Sequence, residues 1–301
     1  MNPLQEEILA LKRKRGALLL AHYYQTMDIQ EIADHVGDSF ALARWAREAE
    51  ARLIVFCGVR FMAESAKMLN PQKTVLLPAP DAGCPMADMI GPEEVRLLRE
   101  RYPDAAVVCY INSSAAVKAA SDICCTSSSV VRIVSALPNR RIIFIPDQNL
   151  GAYVASQTPE KEIIPYEGFC PAHHRVTEQD VLSARRAHPG APVLAHPECR
   201  PEVLRHADYI GSTSGILDRA EKGEESEYLI GTETGVVARL RSTVPGKRFY
   251  PVTHRLFCPN MKKTRLRDVT RALETGEYEI VLDPGEMEMG RRSLERMIRL
   301  G

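Results

Sequence analysis

Three cysteines in this chain share one local sequence and an almost constant spacing. Cys84, Cys170 and Cys258 are each followed by proline, unlike the other five cysteines, and they lie 86 and 88 residues apart. No Cys-x-x-Cys pair occurs in the sequence. In a reducing compartment, regularly placed thiols are more often metal ligands than disulfide partners. The spacing therefore predicts that three distant segments meet around one metal centre.

Two metal centres suit three thiolates from separate segments. A cubane iron-sulfur cluster binds one thiolate per iron, so three cysteines would leave one iron open to water or substrate, where it can act as a Lewis acid. The alternative is a structural zinc ion with a Cys3His ligand set, because His173 lies three residues after Cys170. A closed zinc site would perform no chemistry. The polar residues described next would have no role around such an ion, so they favour the cluster.

A second set of residues repeats in phase with the cysteines. It consists of three tripeptides whose first residues lie 88 and 86 residues apart and 60 to 62 residues before a cysteine. Each tripeptide follows a short apolar run, and their polar residues are His22, Tyr24, Tyr110, Asn112, His196 and Glu198. Because the three are equivalent, we expect them to face one cavity, with Glu198 as a general base and Tyr24 as a proton donor or relay.

Hydroxyl side chains form a third repeated set, about 17 residues after the start of each tripeptide. Ser39, Ser127 and the pair Ser212 and Thr213 lie at or next to this position. Each precedes an amphipathic segment and is predicted to cap a helix N-terminus, where a side-chain oxygen and free backbone N–H groups can bind an anion. Three such helix ends beside one metal centre predict a substrate with several carboxylate or phosphate groups.

The repeated features, which include Asp34, Asp122 and Asp208, indicate three copies of one unit of about 87 residues. We place the units at 1–88, 89–174 and 175–301. Buried strands are predicted at 17–21, 53–56, 74–77, 105–109, 141–145, 161–164, 192–195, 227–230 and 248–250, and helices at 39–50, 128–137 and 214–222. Alternating strands and helices predict an α/β fold in which parallel sheets carry helices on both faces and ligands gather at the carboxyl ends of strands.

The third unit is predicted to carry an additional C-terminal helix at 286–300. Its apolar positions, which we expect to pack against the rest of the protein, are Met289, Leu294, Met297 and Leu300.

Composition excludes several classes of function. The 301 residues include 39 basic and 39 acidic side chains, so no net charge attracts nucleic acid or an anionic membrane. No apolar run approaches the roughly 18 residues that a membrane-spanning helix needs. Neither a Gly-x-Gly-x-x-Gly motif nor a Walker loop is present. We therefore expect a cytosolic protein that binds small molecules, with neither nucleic acid nor a membrane as its partner.

These motifs resemble those of the quinolinate synthase family, and the resemblance spans essentially the whole chain. Its most specific parts are the segments at 21–25, 37–39, 82–84, 170–173, 196–199, 211–213, 231–233 and 258–261. Members of the family have three homologous three-layer α/β/α domains, arranged with pseudo-three-fold symmetry around a central active site. They hold a 4Fe-4S cluster on three cysteines, so the resemblance implies Cys84, Cys170 and Cys258 as its ligands.

The resemblance also implies an activity and a role for each site residue. Family members are transferases of de novo NAD biosynthesis that condense iminoaspartate with dihydroxyacetone phosphate to give quinolinate, phosphate and water. An L-aspartate oxidase or dehydrogenase that supplies iminoaspartate is an expected transient partner. The implied catalytic residues are Tyr24, Tyr110, His173 and Glu198. The implied substrate-binding residues are His22, Ser39, Asn112, Ser127, His196, Ser212, Thr213 and Lys222. Lys222 would help to close the site, or, as the alternative interpretation, is a solvated residue at a helix end.

Overall fold

The computed structural model describes all 301 residues and contains three parallel β-sheets of four strands each. The first sheet consists of β1 (Ala17–His22), β2 (His35–Gly37), β3 (Leu53–Cys57) and β4 (Thr74–Leu76). The second consists of β5 (Ala106–Tyr110), β6 (Ile123–Cys125), β7 (Arg141–Ile145) and β8 (Glu162–Pro165). The third consists of β9 (Val193–Ala195), β10 (Tyr209–Ile210), β11 (Glu227–Gly231) and β12 (Arg248–Pro251). The predicted α/β class with three repeated parallel sheets is confirmed.

Fifteen α-helices connect and cover the strands. Around the first sheet lie α1 (Pro3–Arg15), α2 (Met27–Gln30), α3 (Ser39–Glu48) and α4 (Arg60–Leu69). Around the second lie α5 (Pro92–Arg101), α6 (Ala115–Ala119), α7 (Val130–Ala136), α8 (Gln148–Gln157) and α9 (Pro171–His174). The remaining helices are α10 (Glu178–Ala187), α11 (Pro201–Leu204), α12 (Thr213–Lys222), α13 (Thr234–Thr243), α14 (Leu266–Thr275) and α15 (Pro284–Leu300). None of them combines the length and the apolar character that crossing a lipid bilayer requires.

Strand order is the same in all three sheets, because the second strand of each unit lies at one edge, followed by the first, third and fourth. The nine predicted strands begin and end within one residue of the observed ones. No strand was predicted at β2, β6 or β10. These strands contain only two or three residues, so they are too short to show either an alternating or a continuous apolar pattern.

The C-terminal helix α15 packs against α4, α6, α7 and β6. It therefore packs on the first and second units, although the predicted unit bounds place it in the third unit, 175–301. Leu294 and Met297 are fully buried as predicted, but Met289 is 48% exposed. Gly290 and Ser293 form part of the buried face instead. A Cβ atom on Gly290 would lie 2.7 Å from the Met68 sulfur, so glycine allows the close approach of α15 to α4.

The repeated aspartates are structural, because each one holds the first strand of its sheet. The side chains of Asp34, Asp122 and Asp208 accept hydrogen bonds of 2.7 to 2.8 Å from the backbone N–H groups of Leu19, Val107 and Val193. The backbone N–H of each aspartate donates to the carbonyl of the same strand residue. Each carboxylate also pairs with a basic side chain of a preceding helix, namely Lys12, Arg99 or Arg185.

Asp122→Ala is expected to destabilise the protein by about 1–3 kcal/mol, because the buried N–H of Val107 would lose its side-chain acceptor. Urea unfolding followed by circular dichroism measures this change. Asp104→Ala is the matched control, since Asp104 is 63% exposed and pairs with Arg141 at the surface. We expect the control to lose less than about 1 kcal/mol. Equal losses in the two variants would contradict this role of Asp122.

Candidate active site

The residues at or just after the ends of β1, β5 and β9 line one cavity of about 140 Å³. Parallel strands place such residues at the carboxyl edge of their sheets, where ligands bind in α/β folds. Thirteen of the fifteen predicted site residues line this cavity: His22, Tyr24, Ser39, Cys84, Tyr110, Asn112, Ser127, Cys170, His173, His196, Glu198, Thr213 and Cys258. They come from all three units, so the site is complete only where the units meet.

The three proline-linked cysteines reach the cavity from loops. Cys84 follows β4, Cys170 directly precedes α9, and Cys258 precedes a single 3-10 turn at Asn260–Lys262. All three are free and partly buried, whereas the other five cysteines are buried. Burial, reinforced by the neighbouring Cys258, raises the pKa of Cys84 to about 12. Because three ionised thiols at these positions would destabilise one another, the set fits a cationic metal centre that stabilises thiolates.

A second candidate metal group overlaps the first. Cys170, His173 and Glu198 each bring one ligand atom within 4.8 Å of the others. Both ring nitrogens of His173 have protein partners. Nδ1 lies 3.2 Å from Cys170 Sγ and 2.7 Å from Glu198 Oε2, and Nε2 lies 3.0 Å from Thr232 Oγ1. Coordination of zinc by His173 would break one of these contacts. This group is a second possible ligand set, and it shares Cys170 with the set of three thiols.

A chain of five polar residues in contact runs from Tyr24 to Tyr110, and four of the five line the cavity. The Tyr24 hydroxyl lies 2.9 Å from Thr232 Oγ1, which lies 3.0 Å from His173 Nε2. His173 Nδ1 lies 2.7 Å from Glu198 Oε2, and the Tyr110 hydroxyl donates to Glu198 Oε1 at 2.7 Å. A carboxylate only accepts, so His173 donates from Nδ1 and accepts at Nε2 from Thr232. The chain can therefore transfer protons between Tyr24 and Glu198.

Electrostatics keep Glu198 ionised and the two tyrosines protonated. Burial alone would raise the pKa of Glu198, but His196, His173 and the Tyr110 hydroxyl outweigh burial and hold this pKa well below its usual range. Burial, followed by the charge of Glu198, raises the pKa values of Tyr24 and Tyr110 well above their usual value. The site thus places a proton acceptor within hydrogen-bonding reach of proton donors.

Two histidines are fixed in the same tautomer by equivalent contacts. The backbone N–H of Tyr24 donates to His22 Nδ1 at 3.1 Å, and that of Glu198 donates to His196 Nδ1 at 3.3 Å. Each ring therefore carries its proton on Nε2, and His196 Nε2 lies 3.1 Å from Ser127 Oγ. Burial lowers the pKa of His22 to about 3 and that of His196 to about 4. Both are neutral hydrogen-bond donors near pH 7.

The chain is similar to known proteins over nearly its whole length. Residues 6–299 match the family model described as quinolinate synthetase A protein. The chain belongs to this family. Similar proteins include quinolinate synthases of Caldicellulosiruptor saccharolyticus (52% identical over 300 residues, 100% of this chain and 99% of the relative) and Methanoregula boonei (53% over 297 residues, 99% and 98%). Quinolinate synthase 2 of Methanosarcina acetivorans is 50% identical over 293 residues, covering 97% of this chain and 94% of the relative. The resemblance inferred from the motifs is confirmed.

The hydroxyl residues lie near helix N-termini, but only one of them is a cap. Ser212 caps α12 by accepting the N–H of Gly215 at 3.2 Å, and it does not line the cavity. The predicted capping by Ser39 and Ser127 is wrong, because Asp38 caps α3 and Ser129 occupies the N-cap position of α7. Asp38 and Ser129 occupy the two N-cap positions, and Ser39 and Ser127 line the cavity instead.

Lys222, which the family resemblance implied as a residue that closes the site, lies away from it. It occupies the last turn of α12, its side chain is 74% exposed, and it pairs with Asp218. The only arginine or lysine that lines the cavity is Arg175. Arg175 is exposed, and its Nε donates to the carbonyl of Pro171 at 2.7 Å. Arg175, Pro85 and Pro259 are the exposed lining residues, so the cavity is open at the end where the cysteines lie.

Thr232 contacts two of the predicted catalytic residues but was not itself predicted as a site residue. It lies in the segment 231–233, which carries part of the resemblance to the family, and its side chain is fully buried. Its hydroxyl lies within 3.0 Å of both Tyr24 Oη and His173 Nε2. The equivalent positions after β3 and β7 are Gly58 and Pro146, so no hydroxyl repeats there and periodicity could not identify it.

Proposed function

We propose that the protein is a quinolinate synthase of de novo NAD biosynthesis. It would be a transferase that condenses iminoaspartate with dihydroxyacetone phosphate to give quinolinate, phosphate and water. The supporting observation is that three cysteines from three units open onto one cavity whose wall carries a chain of acid and base groups. Family membership supports the same activity.

The cofactor would be a 4Fe-4S cluster held by Cys84, Cys170 and Cys258. When bound, such a cluster with three protein ligands supplies one open iron that acts as a Lewis acid toward a carboxylate or hydroxyl group. The three cysteines themselves support a cluster at this position. Their thiols are free, face one cavity and need a cation in order to ionise together.

The substrates would be bound by neutral donors of the cavity wall. His22 presents an Nε2–H group, and His196 donates its Nε2–H to the Ser127 hydroxyl, which it would orient toward the substrate. Ser39, Ser127 and Thr213 present hydroxyls to the cavity. Both substrates carry carboxylate or phosphate groups, which accept hydrogen bonds from such donors. Asn112 also lines the cavity, next to Glu198. We infer that these residues orient the two substrates against each other, whereas Ser212 acts through its cap on α12.

Proton transfer would be performed by Glu198 and Tyr24. Glu198 would take a proton at its carboxylate in the isomerisation and ring-closing steps, and Tyr24 Oη would return one, with Thr232 and His173 connecting the two groups. Tyr110 would hold the carboxylate in place through its 2.7 Å hydrogen bond. Dehydration requires a group that removes a proton and a group that protonates the leaving oxygen, and this chain supplies both.

Iminoaspartate is an imine that water hydrolyses, so a nearby source of this substrate is an advantage. We propose a transient partner of the L-aspartate oxidase or dehydrogenase class, within the cytoplasm. The formal net charge of zero gives no support to a nucleic acid or a membrane as a further partner.

Anaerobic purification tests the proposal directly. We expect brown protein with about four iron and four sulfide ions per chain, which forms quinolinate from dihydroxyacetone phosphate and freshly generated iminoaspartate. Omission of either substrate is the control. Colourless protein with one zinc per chain and no quinolinate formation would contradict the proposal. That result would favour a three-repeat scaffold with a structural zinc that binds a phosphorylated metabolite, for which the Cys170, His173 and Glu198 group is the supporting feature.

A further inference from the structure

Glu233 is a fully buried carboxylate that the mechanism above does not use. It lies two residues after β11 and caps α13, where its Oε2 atom accepts the N–H of Gly235 at 2.7 Å. A helix cap needs only one side-chain oxygen. The other oxygen of Glu233 is therefore available for a second partner.

That second partner is the backbone of a proposed cluster ligand. Glu233 Oε1 accepts the N–H of Cys258 at 3.3 Å. The adjacent N–H of Thr234 donates to the carbonyl of Leu256 at 2.8 Å. The segment that leads to Cys258 is thus fixed to the start of α13 at two points, one through the backbone and one through a carboxylate.

Of these two contacts, only the backbone hydrogen bond between Thr234 and Leu256 has an equivalent in all three units. The N–H groups of Arg60 and Gln148 donate to the carbonyls of Ala82 and Gly168, each at 2.8 Å and each two residues before a ligand cysteine. The first unit has Val59 in place of Glu233, so it has no side-chain acceptor. The second unit has Asp147, whose Oδ1 atom accepts the N–H groups of Asn149 and Leu150. The Asp147 carboxylate also interacts with the backbone N–H of Cys170, so the second unit has a shorter acidic side chain at the equivalent place. Glu233 differs from Asp147 in its additional contact with Lys262.

Lys262 extends the contact to the first unit. Its Nζ atom lies 3.1 Å from Glu233 Oε2 and also donates to the carbonyl of Tyr24. In parallel, Gln25 Nε2 donates to the carbonyl of Met261 at 2.6 Å. The segment 258–262 is therefore held against the loop that carries Tyr24, on the opposite side of a unit boundary.

Gly235 shows how tightly this junction is packed. A Cβ atom at this position would lie 2.7 Å from Glu233 Oε2, 2.9 Å from the carbonyl oxygen of Tyr23 and 3.0 Å from Lys262 Nζ. Any side chain larger than hydrogen would displace the ion pair. Glycine at 235 therefore allows Glu233 and Lys262 to meet next to the loop of the first unit.

We propose that Glu233 is a positioning residue, which holds Cys258 in place as a ligand and connects it through Lys262 to the loop of Tyr24. The proposal rests on the proposed function in one respect, namely that Cys258 is a cluster ligand. Removal of the carboxylate would leave the Cys258 N–H and the Lys262 ammonium without their shared partner. The Cys258 segment would then open more often than the segments of Cys84 and Cys170.

The test measures how fast each cysteine of cluster-free protein reacts with iodoacetamide, by peptide mass spectrometry. Glu233→Ala is expected to accelerate alkylation of Cys258 by about tenfold, because fewer hydrogen bonds hold its segment. Rates at Cys84 and Cys170 should change less than about twofold. Glu233→Gln keeps the side-chain volume but loses the charge that pairs with Lys262, so we expect a smaller acceleration of about threefold.

The matched control is Glu225→Gln in the same unit, because Glu225 bonds Arg219 and Tyr228 and does not line the cavity. It should leave all three alkylation rates unchanged. If Glu233→Ala does not fold, the alkylation rate of Cys258 in Glu233→Gln tests the proposal. A Cys258 rate within twofold of the unsubstituted protein, or equal acceleration of all three cysteines, would overturn the proposal.

Iron uptake provides a second, separate measurement. After anaerobic reconstitution, Glu233→Ala is expected to hold at most about half the iron of the unsubstituted protein, while Glu225→Gln holds the same amount. Full iron content in Glu233→Ala would count against the positioning role. If the unsubstituted protein itself takes up no iron, the proposed function fails, but the alkylation rates still test the role of Glu233 because they need neither cluster nor activity.

Discussion

Cys84→Ser is expected to lower the iron content of anaerobically purified protein by at least about tenfold, since loss of a ligand costs at least as much affinity as loss of a residue that supports one. Serine has nearly the shape of cysteine, but its hydroxyl does not ionise to a soft ligand near pH 7. Cys84 is one of only three thiols that line the cavity. The measurement is iron and sulfide per chain, with quinolinate formation falling in parallel.

Cys57→Ser is the matched control for this variant. It makes the same exchange of sulfur for oxygen at a cysteine that is fully buried at the end of β3 and does not line the cavity. We expect it to retain its iron even if it is less stable. Full iron content in Cys84→Ser would show that the ligand assignment is wrong.

Glu198→Gln is expected to keep the iron content and to lower kcat by about 10²–10⁴-fold, which is the usual contribution of a general base. The amide has nearly the shape of the carboxylate and can still accept a hydrogen bond from Tyr110. The amide cannot take up a proton. Its NH2 group would face either the Tyr110 hydroxyl or His173 Nδ1, each of which contacts a carboxylate oxygen of Glu198 in the unsubstituted protein. Steady-state rates and iron counts on the same samples measure the two effects separately.

Glu202→Gln controls for the loss of one negative charge. Glu202 lies four residues later, pairs with Arg200 at 3.0 Å near the surface and does not line the cavity. We expect its turnover to be unchanged. If Glu198→Gln turned over quinolinate as fast as this control, Glu198 would have no part in proton transfer.

The periodic features of the sequence carried most of the information about the fold. A repeat of about 87 residues requires that equivalent residues occupy equivalent places, so Cys84, Cys170 and Cys258 could be assigned to one cavity before any contact was known. Continuous apolar runs predicted the central strands for a similar reason, because strands buried on both faces contain few polar residues.

Features that occur only once, or that depend on contacts between units, could not be predicted in this way. Thr232 belongs to the site only because α9 brings His173 to it and β1 brings Tyr24. Lys222 was assigned by resemblance, but its long side chain pairs with Asp218 on its own helix. Capping of α3 by Asp38 instead of Ser39 is a shift of one residue, which helix patterns alone do not resolve.

The equivalence of the three strand ends has one further consequence. Tyr24, Asn112 and Glu198 occupy the same place in the three units, yet they carry a phenol, an amide and a carboxylate. A cavity of true three-fold symmetry would present identical faces and could not distinguish two different reactants. Here cysteines at equivalent positions of the three units open onto a cavity whose wall differs on each side. Under the proposed function, this difference would give each of the two substrates its own place.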